Sequence, residues 1–174
     1  MSCSKYKEAI MEQMRLFAED SKVIFLGQQV ASEDFYGTLS GISLDKRIEM
    51  PVAEDMQMGM SIGLSLQGFL PISIYQRMDF LPRAMDQIVN HLNLLEEASR
   101  GMYKPKVIIR TTIGTKKPLD VGIQHSQDLS ELMKVACKFP VFKCETADDI
   151  NNAYDFARLS DKSVLVIEKQ ENYQ

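Results

Sequence analysis

Glu54 combines an ionisable side chain with a position at the head of a long uncharged segment. No residue from 56 to 76 is charged, so Glu54 and Asp55 precede a stretch that is predicted to be buried. A buried carboxylate is costly unless it is paired, hydrogen-bonded or neutralised. Glu54 is therefore predicted either to belong to a polar network or to handle a proton in a reaction.

Two glycines in the same segment require an explanation. Gly59 and Gly63 lie four residues apart, which places them on one face of a predicted helix. Each glycine in a helix interior costs about 1 kcal/mol relative to alanine. Their presence indicates close packing within the domain, or the close approach of a second subunit or a cofactor. The spacing alone leaves these alternatives open.

The two histidines offer groups that exchange protons near neutral pH. His125 lies in a polar loop, where it is either a general acid or base or a loop residue without a catalytic role. His91 lies within a predicted helix and is assigned to packing or to an interface. A hydrolase triad of Ser126, His125 and Asp128 is disfavoured, because a nucleophile rarely faces a base that is its neighbour in sequence.

The composition excludes several classes of protein. The chain has 174 residues, 45% of them hydrophobic and 25% charged, with a net charge of -4. This acidic balance, without a basic cluster, disfavours binding to nucleic acid or to a membrane surface. Pro71 divides the uncharged stretch into a helix and a strand, so no membrane span is expected. Cys3, Cys137 and Cys144 have no metal-ligand spacing, and no metal site is predicted on this chain. A single domain over residues 1–174, without a signal peptide and located in the cytoplasm, is expected.

Helices and strands alternate along the chain. Hydrophobic periodicity predicts helices over 4–19, 55–67, 80–99, 127–136 and 147–159, the first with Ser4 as its N-cap. Short apolar runs predict strands over 23–26, 47–50, 71–75, 107–109, 141–143 and 164–167. Segments 28–46 and 111–124 are predicted loops, the former with room for a short helix.

This alternation predicts an α/β fold with three layers, α/β/α, around a mainly parallel sheet. In such sheets function gathers at the carboxyl ends of the strands. Glu54 follows one predicted strand, residues 77–80 follow another, and residues 111–127 follow a third. These three places are expected to lie at one edge of the sheet.

Several motifs in this order resemble the pyrimidine-binding domain of thiamine diphosphate enzymes. The resemblance extends over residues 20–173 and is most specific to the beta subunit of the 2-oxo acid dehydrogenases, the pyruvate type included, and its transketolase-like relatives. The motifs that carry it are Pro51-Val-Ala-Glu54, Gly59, Gly63, Gly68, Pro71, Asp79-Phe80, Asp86-Gln87-Ile-Val-Asn90-His91, Gly27-Gln-Gln-Val30, Ile109-Arg110 with Gly114, Gln124-His125-Ser126-Gln127, and Val164-Leu-Val-Ile-Glu168 with Tyr173.

The resemblance implies roles for four side chains. Glu54 matches the glutamate that hydrogen-bonds the pyrimidine ring nitrogen and promotes the imino tautomer. Phe80 matches the aromatic residue that stacks on this ring, although simple core packing is its alternative. His125 matches a histidine near the reacting centre. Gln28 matches a residue beside the cofactor, but the family usually has an acidic residue nearby, where this chain has the amides of Gln28 and Gln29.

The chain resembles half of an active site. Enzymes that use thiamine diphosphate hold the diphosphate and Mg²⁺ through a Gly-Asp-Gly motif and a later asparagine, which this sequence lacks. The C-terminal domain of the usual beta subunit is also missing. The resemblance therefore implies a partner chain of the alpha type that holds Mg²⁺, with the cofactor shared at the interface of an oligomer.

The expected function is that of a pyrimidine-binding subunit of a split enzyme that acts on a 2-oxo acid. Two alternatives stay open at this point. One is a small split transketolase that acts on ketose sugars, and the other is a non-catalytic paralogue that serves as an interaction module. An unrelated flavodoxin-like domain is disfavoured, because no phosphate-binding glycine loop follows the first strand.

Overall fold

A computed structural model describes residues 4–115, 120 and 122–174, and its centre is a parallel sheet. The sheet has six strands in the order β2-β1-β3-β4-β6-β5, and every neighbouring pair is parallel. The strands are β1 (Val23–Gly27), β2 (Arg47–Glu49), β3 (Leu70–Tyr75), β4 (Ile108–Ile113), β5 (Val141–Cys144) and β6 (Val164–Lys169).

Helices and short helical turns connect the strands. The α-helices are α1 (Lys5–Ala18), α2 (Glu54–Leu66), α3 (Leu95–Ala98), α4 (Ser130–Ala136) and α5 (Ala147–Leu159). Turns of 3₁₀ type occur at Leu44–Lys46, Met78–Ala84, Ile123–His125 and Gln170–Tyr173, and a π-helical segment covers Gln87–Leu92.

The sheet is covered on both faces. Ile108 and Val166 pack in a core with residues of α1 and α5, whereas Ile109 and Leu165 pack in a second core with residues of α2 and α4. Successive strand residues point to opposite faces, so a strand buried on both sides is predominantly apolar. The predicted three-layer α/β/α architecture is confirmed, while a single domain over the whole chain stays a prediction.

All six predicted strands are present, with ends that differ by up to four residues. The predicted N-cap of the first helix is also confirmed, since Ser4 Oγ accepts a hydrogen bond from the Lys7 backbone N–H at 3.2 Å. Thr146 and Asp149 form a reciprocal capping box at the start of α5. Local sequence signals therefore fix where these helices begin.

The single long helix predicted over 80–99 is wrong. Residues 78–98 instead form the 3₁₀ turn, the π-helical segment and α3 in succession. Pro82 lies inside the first segment, where it lacks a backbone donor and crowds the preceding turn. Further along, the Asn93 backbone N–H donates to the Ile88 carbonyl at 3.0 Å, five residues back, which is the π-helical pattern.

Three smaller predictions also need correction. The predicted loop 111–124 begins as strand, because β4 extends to Ile113, and it ends in the 3₁₀ turn that starts at Ile123. The helix predicted over 127–136 begins only at Ser130. The short helix allowed within 28–46 is a single 3₁₀ turn. Among the described residues, no helix is long and apolar enough to cross a membrane.

Candidate active site

The candidate site lies at the carboxyl edge of the sheet, where β1, β2 and β3 end. Gly27, the last residue of β1, is in register with Glu49 of β2 and Ile74 of β3. A Cβ atom at Gly27 would lie 2.2 Å from the Ile74 carbonyl oxygen. Only glycine permits this close approach, which draws the segment after β1 against the end of β3.

Glu54 is the first residue of α2 and its side chain is 3% exposed. Its Oε2 atom accepts a hydrogen bond from Arg83 Nε at 2.8 Å, although the Arg83 side chain is 69% exposed. Oε1 accepts no hydrogen bond from any residue that the structure describes. The positive end of the helix dipole favours a carboxylate here. Glu54 is thus held through one oxygen and offers the other.

The side chains of Gln57 and Tyr75 fix the position of Glu54 relative to the end of β3. Gln57 Nε2 donates to Ser73 Oγ at 3.1 Å and to the Ile74 carbonyl at 3.0 Å, which ties α2 to β3. The Tyr75 hydroxyl donates to the Glu54 backbone carbonyl at 3.2 Å. Burial raises the pKa of Tyr75 above its ordinary value, so this hydroxyl stays a donor at neutral pH. The first turn of α2 is consequently tied to β3.

Phe80 and His125 meet at the same edge. The ring of Phe80 lies in the turn after β3, and its centroid is 5.5 Å from that of His125, with the rings inclined at 84°. This edge-to-face arrangement is a favourable aromatic geometry. Both side chains are half-buried, so each keeps a surface for another group. The structure therefore brings together the two aromatic residues that the sequence placed near the cofactor.

Contacts from two neighbouring regions hold the backbone around His125. Asp79 Oδ1 accepts hydrogen bonds from both the backbone N–H and Nε2 of Gln127, each at 3.1 Å. Arg77 Nη1 donates to the His125 carbonyl at 3.5 Å. A Cβ atom on Gly114 would lie 1.9 Å from that same carbonyl oxygen. The segment is thus pressed against the end of β4 and tied to the turn after β3.

Gln28 directly follows Gly27 at this edge and is half-buried. Its side chain makes no hydrogen bond to the residues that the structure describes, so its cofactor role stays a prediction. Glu49 supplies a carboxylate that accepts the backbone N–H groups of Gln29, Ala31 and Ser32, the last two at 2.8 and 3.1 Å. Partial burial raises the pKa of Glu49, but these donors outweigh burial and lower the pKa below its ordinary value. An acidic group is therefore present beside the two amides after all.

The sequence predicts Asp79 at this edge, within residues 77–80, but it does not indicate Arg83 or Glu49. Arg83 lies inside the helix predicted over 80–99. Glu49 lies near the end of a predicted strand, which is the one signal that could identify it. The partners of Asp79 and Arg83 are distant in the chain, so no local pattern indicates those contacts.

A second group of buried charges serves the fold. Arg110 on β4 donates to both oxygens of Glu168 on β6, each at 2.9 Å, and both side chains are fully buried. The hydroxyls of Tyr154 and Tyr173 also donate to Glu168. Every oxygen of this carboxylate is used, and the Arg110 guanidinium lies over the Phe35 ring at 4.8 Å. The network joins the strands to the chain around Phe35 and leaves no position for a ligand on Glu168.

A concave pocket of about 480 Å³ lies at the opposite edge of the sheet. Lys106 and Ser163 line it, and they precede β4 and β6 respectively. Since the predicted site residues all follow strand ends, this pocket is not the candidate active site.

Curated relatives cover nearly the whole chain. It is 29% identical over 170 residues to the pyruvate dehydrogenase E1 component subunit beta of Cyanidium caldarium, a match of 93% of this chain and 50% of the relative. It is also 29% identical over 167 residues to the pyruvate dehydrogenase E1 component subunit beta-3, chloroplastic, of Oryza sativa subsp. japonica. That match covers 93% of this chain and 41% of the relative. The chain thus spans half or less of the length of these relatives.

Solved structures show the same fold. A split gene transketolase, described as an inactive beta4 tetramer, superimposes with a TM-score of 0.68 at 22% identity, covering 95% of this chain and 50% of that one. The transketolase of Campylobacter jejuni superimposes with a TM-score of 0.72 at 14% identity, covering 95% and 26%.

The family model described as transketolase, pyrimidine binding domain, matches residues 4–174. This match extends over nearly all of the chain and agrees with the sheet and edge described above. The chain belongs to the family of transketolase pyrimidine-binding domains.

Proposed function

We propose that this chain is the pyrimidine-binding subunit of a split enzyme that depends on thiamine diphosphate and acts on a 2-oxo acid. The observation that carries the proposal is the state of Glu54. This carboxylate is buried at the carboxyl edge of the sheet, is held through Oε2 and keeps Oε1 free of hydrogen bonds from the described residues. A fixed acceptor of this kind suits a protonated ring nitrogen.

The residues present fit the pyrimidine half of the cofactor. Glu54 offers a carboxylate oxygen, and Phe80 offers a half-buried aromatic surface at the same edge. When bound, thiamine diphosphate supplies the nucleophilic carbon that attacks a carbonyl substrate. Glu54 would hold or share a proton at the ring nitrogen through Oε1, while Arg83 keeps the carboxylate oriented. His125 would donate or accept a proton near the reacting carbonyl.

A partner chain is part of the proposal. Among the described residues, no cluster of three or more His, Cys, Asp or Glu side chains could hold a metal ion, so Mg²⁺ is assigned to an alpha-type partner. The exposed face of α2 is the proposed contact surface. Met56 is 50% exposed, and a Cβ atom on Gly63 would meet nothing within 4 Å. Packing inside the chain therefore does not explain Gly63, which favours close approach by another molecule.

Substitution of Glu54 tests the proposal. Glu54→Gln, reconstituted with the partner chain, is expected to lower turnover at least about 100-fold, since a positioned acid or base contributes 10²–10⁴-fold. Asp148→Asn is the matched control, because Asp148 is an exposed aspartate in the first turn of α5, on the opposite face of the sheet, and its substitution is expected to leave turnover unchanged. Near-normal turnover of Glu54→Gln would show that the assigned role is wrong.

Calorimetry on the isolated chain tests the half-site. Titration with thiamine diphosphate and Mg²⁺ is expected to show no tight binding, because the diphosphate site belongs to the partner. Tight binding by the isolated chain would contradict this division. Copurification is expected to recover a chain with Gly-Asp-Gly and a later asparagine, and its absence would favour a non-catalytic interaction module.

A split transketolase is the second candidate function. The structural likeness to a split gene transketolase supports it. The superposition covers 95% of this chain and 50% of the transketolase chain. The reconstituted complex distinguishes the two candidates. Turnover of 2-oxo acids without turnover of ketose phosphates would support the first, and the reverse result would support the second.

A further inference from the structure

The segment around His125 needs support from outside itself. It contains a single 3₁₀ turn, Ile123–His125, and the Ile123 side chain is 84% exposed. A short segment that buries little apolar surface cannot fix a side chain by its own packing. The position of His125 must therefore depend on the contacts that other elements make with this segment.

Asp79 makes the strongest of these contacts. Its Oδ1 atom accepts two hydrogen bonds from Gln127, one from the backbone and one from the side chain, each at 3.1 Å. Hydrogen bonds to a charged acceptor are about twice as strong as neutral ones. The contact from Arg77 to the His125 carbonyl is longer, at 3.5 Å, and contributes less.

Asp79 also precedes Phe80 in the chain. The Phe80 ring contacts the His125 ring, while the Asp79 carboxylate holds the backbone two residues later. Two adjacent residues thus contact this segment: Phe80 contacts the His125 side chain, and Asp79 accepts hydrogen bonds from Gln127. Asp79 Oδ2 is buried and has no hydrogen-bond partner among the described residues. Such an oxygen is costly, which indicates that this carboxylate is kept for more than surface solvation.

We infer that Asp79 is a positioning residue that sets the His125 imidazole against Phe80. This inference rests on the proposed function for the role of His125, but its geometry does not depend on activity. Loss of the carboxylate releases Gln127 and lets the segment move away from Phe80. Displacement of a catalytic group by 1 Å lowers turnover by about 100-fold.

Nuclear magnetic resonance on the isolated full chain tests the inference directly. The chain has 2 histidines, so His91→Gln leaves His125 as the single source of imidazole signals. In this background, Asp79→Ala is expected to abolish the Phe80–His125 cross-peak and to shift the imidazole protons towards those of an unfolded peptide. Asp79→Asn keeps an acceptor oxygen and is expected to retain the cross-peak. Asp55→Asn, at an exposed position, is the matched control.

An unchanged cross-peak and unchanged imidazole signals in folded Asp79→Ala would overturn the inference. If Asp79→Ala does not fold, Asp79→Ser decides in the same way, since its shorter side chain keeps polarity but does not reach Gln127. In the reconstituted complex, Asp79→Ala is expected to lower kcat about 100-fold with little change in the cofactor concentration for half-maximal activity. Full activity of Glu54→Gln would refute the proposed function but leave the resonance result unaffected, so the two failures are distinguishable.

Discussion

Gly114→Ala is expected to displace His125 without unfolding the protein. A Cβ atom at this position would lie 1.9 Å from the His125 carbonyl oxygen, whereas ordinary contacts begin at 3.4 Å. The His125 carbonyl must therefore move away by about 1.5 Å, and the backbone must move with it, because a carbonyl group has no alternative rotamer. Arg77 Nη1, at 2.8 Å, is the end of a flexible side chain and moves at low cost.

The size of this displacement sets the expected loss of activity. Misplacement of a catalytic group by 1 Å costs about 100-fold in rate, so kcat of the reconstituted Gly114→Ala complex is expected to fall by about that factor. The free energy of unfolding of the isolated chain, from urea denaturation, is expected to fall by about 1–3 kcal/mol from overpacking.

Gly63→Ala is the control for stability, since its Cβ meets nothing within 4 Å and the helix gains about 1 kcal/mol. Gln124→Ala, at an exposed position in the same segment, is the control for turnover. Turnover of Gly114→Ala within a factor of two of the wild type would refute the reasoning. The carbonyl would then have moved without moving a catalytic histidine, or His125 would have no catalytic role.

Three further predictions concern stability and reactivity. Arg110→Met is expected to cost about 3–5 kcal/mol in urea denaturation, because it leaves Glu168 buried without its cation, and the double variant with Glu168→Met should cost less than the sum of the single variants. Partial burial raises the pKa of Asp128, but hydrogen bonds from Lys143 and Ser130 lower it, from 3.8 to about 2. These contacts therefore stabilise the fold fully above about pH 4, and their contribution is lost as the pH falls to about 2. Lys143→Met should remove the share of this contribution that the ion pair provides, which is under about 1 kcal/mol because the pair is partly exposed, as acid titrations of stability will show. Burial raises the pKa of Cys137 to about 12, so about 10⁻⁴ of it is thiolate at pH 8 and mass spectrometry should find it alkylated only after unfolding.

The sequence predicted the sheet because its signals are local. The first four residues of β6, 164–167, are all apolar, and only a strand covered on both faces needs this pattern. The position of Glu54 at the carboxyl edge followed from the parallel order, since that order places every strand end on the same side. No side-chain contact was needed for either prediction.

The sequence could not predict the break in the helix after β3. Ala84, Ile88, Leu92 and Leu95 keep helical spacing, and all four are buried or half-buried on one face. Periodicity of this kind is retained when a helix changes from 3₁₀ to π and then to α, because the apolar side still packs on the same core. Pro82 was the signal against a regular helix.

The sequence could not predict the hydrogen-bond partners of Glu54 and Asp79 either. Glu54 pairs with a residue 29 positions away, and Asp79 with one 48 positions away. Each partner follows a different strand, so only the assembled sheet brings them together. A single sequence can indicate which carboxylates lie at the edge, but not which donors reach them.

Two glutamates of this chain differ in how completely the chain satisfies their carboxylates. Glu168 and Glu54 are almost equally buried, at 0% and 3% exposure. Both oxygens of Glu168 accept donors from Arg110 and two tyrosines, so the charge is fully satisfied within the chain. Glu54 receives one donor, from an exposed arginine, and its second oxygen receives none from the described residues. The proposed function assigns this second oxygen of Glu54 to the ring nitrogen of the cofactor. Glu168 could not take such a role, because donors within the chain occupy both of its oxygens.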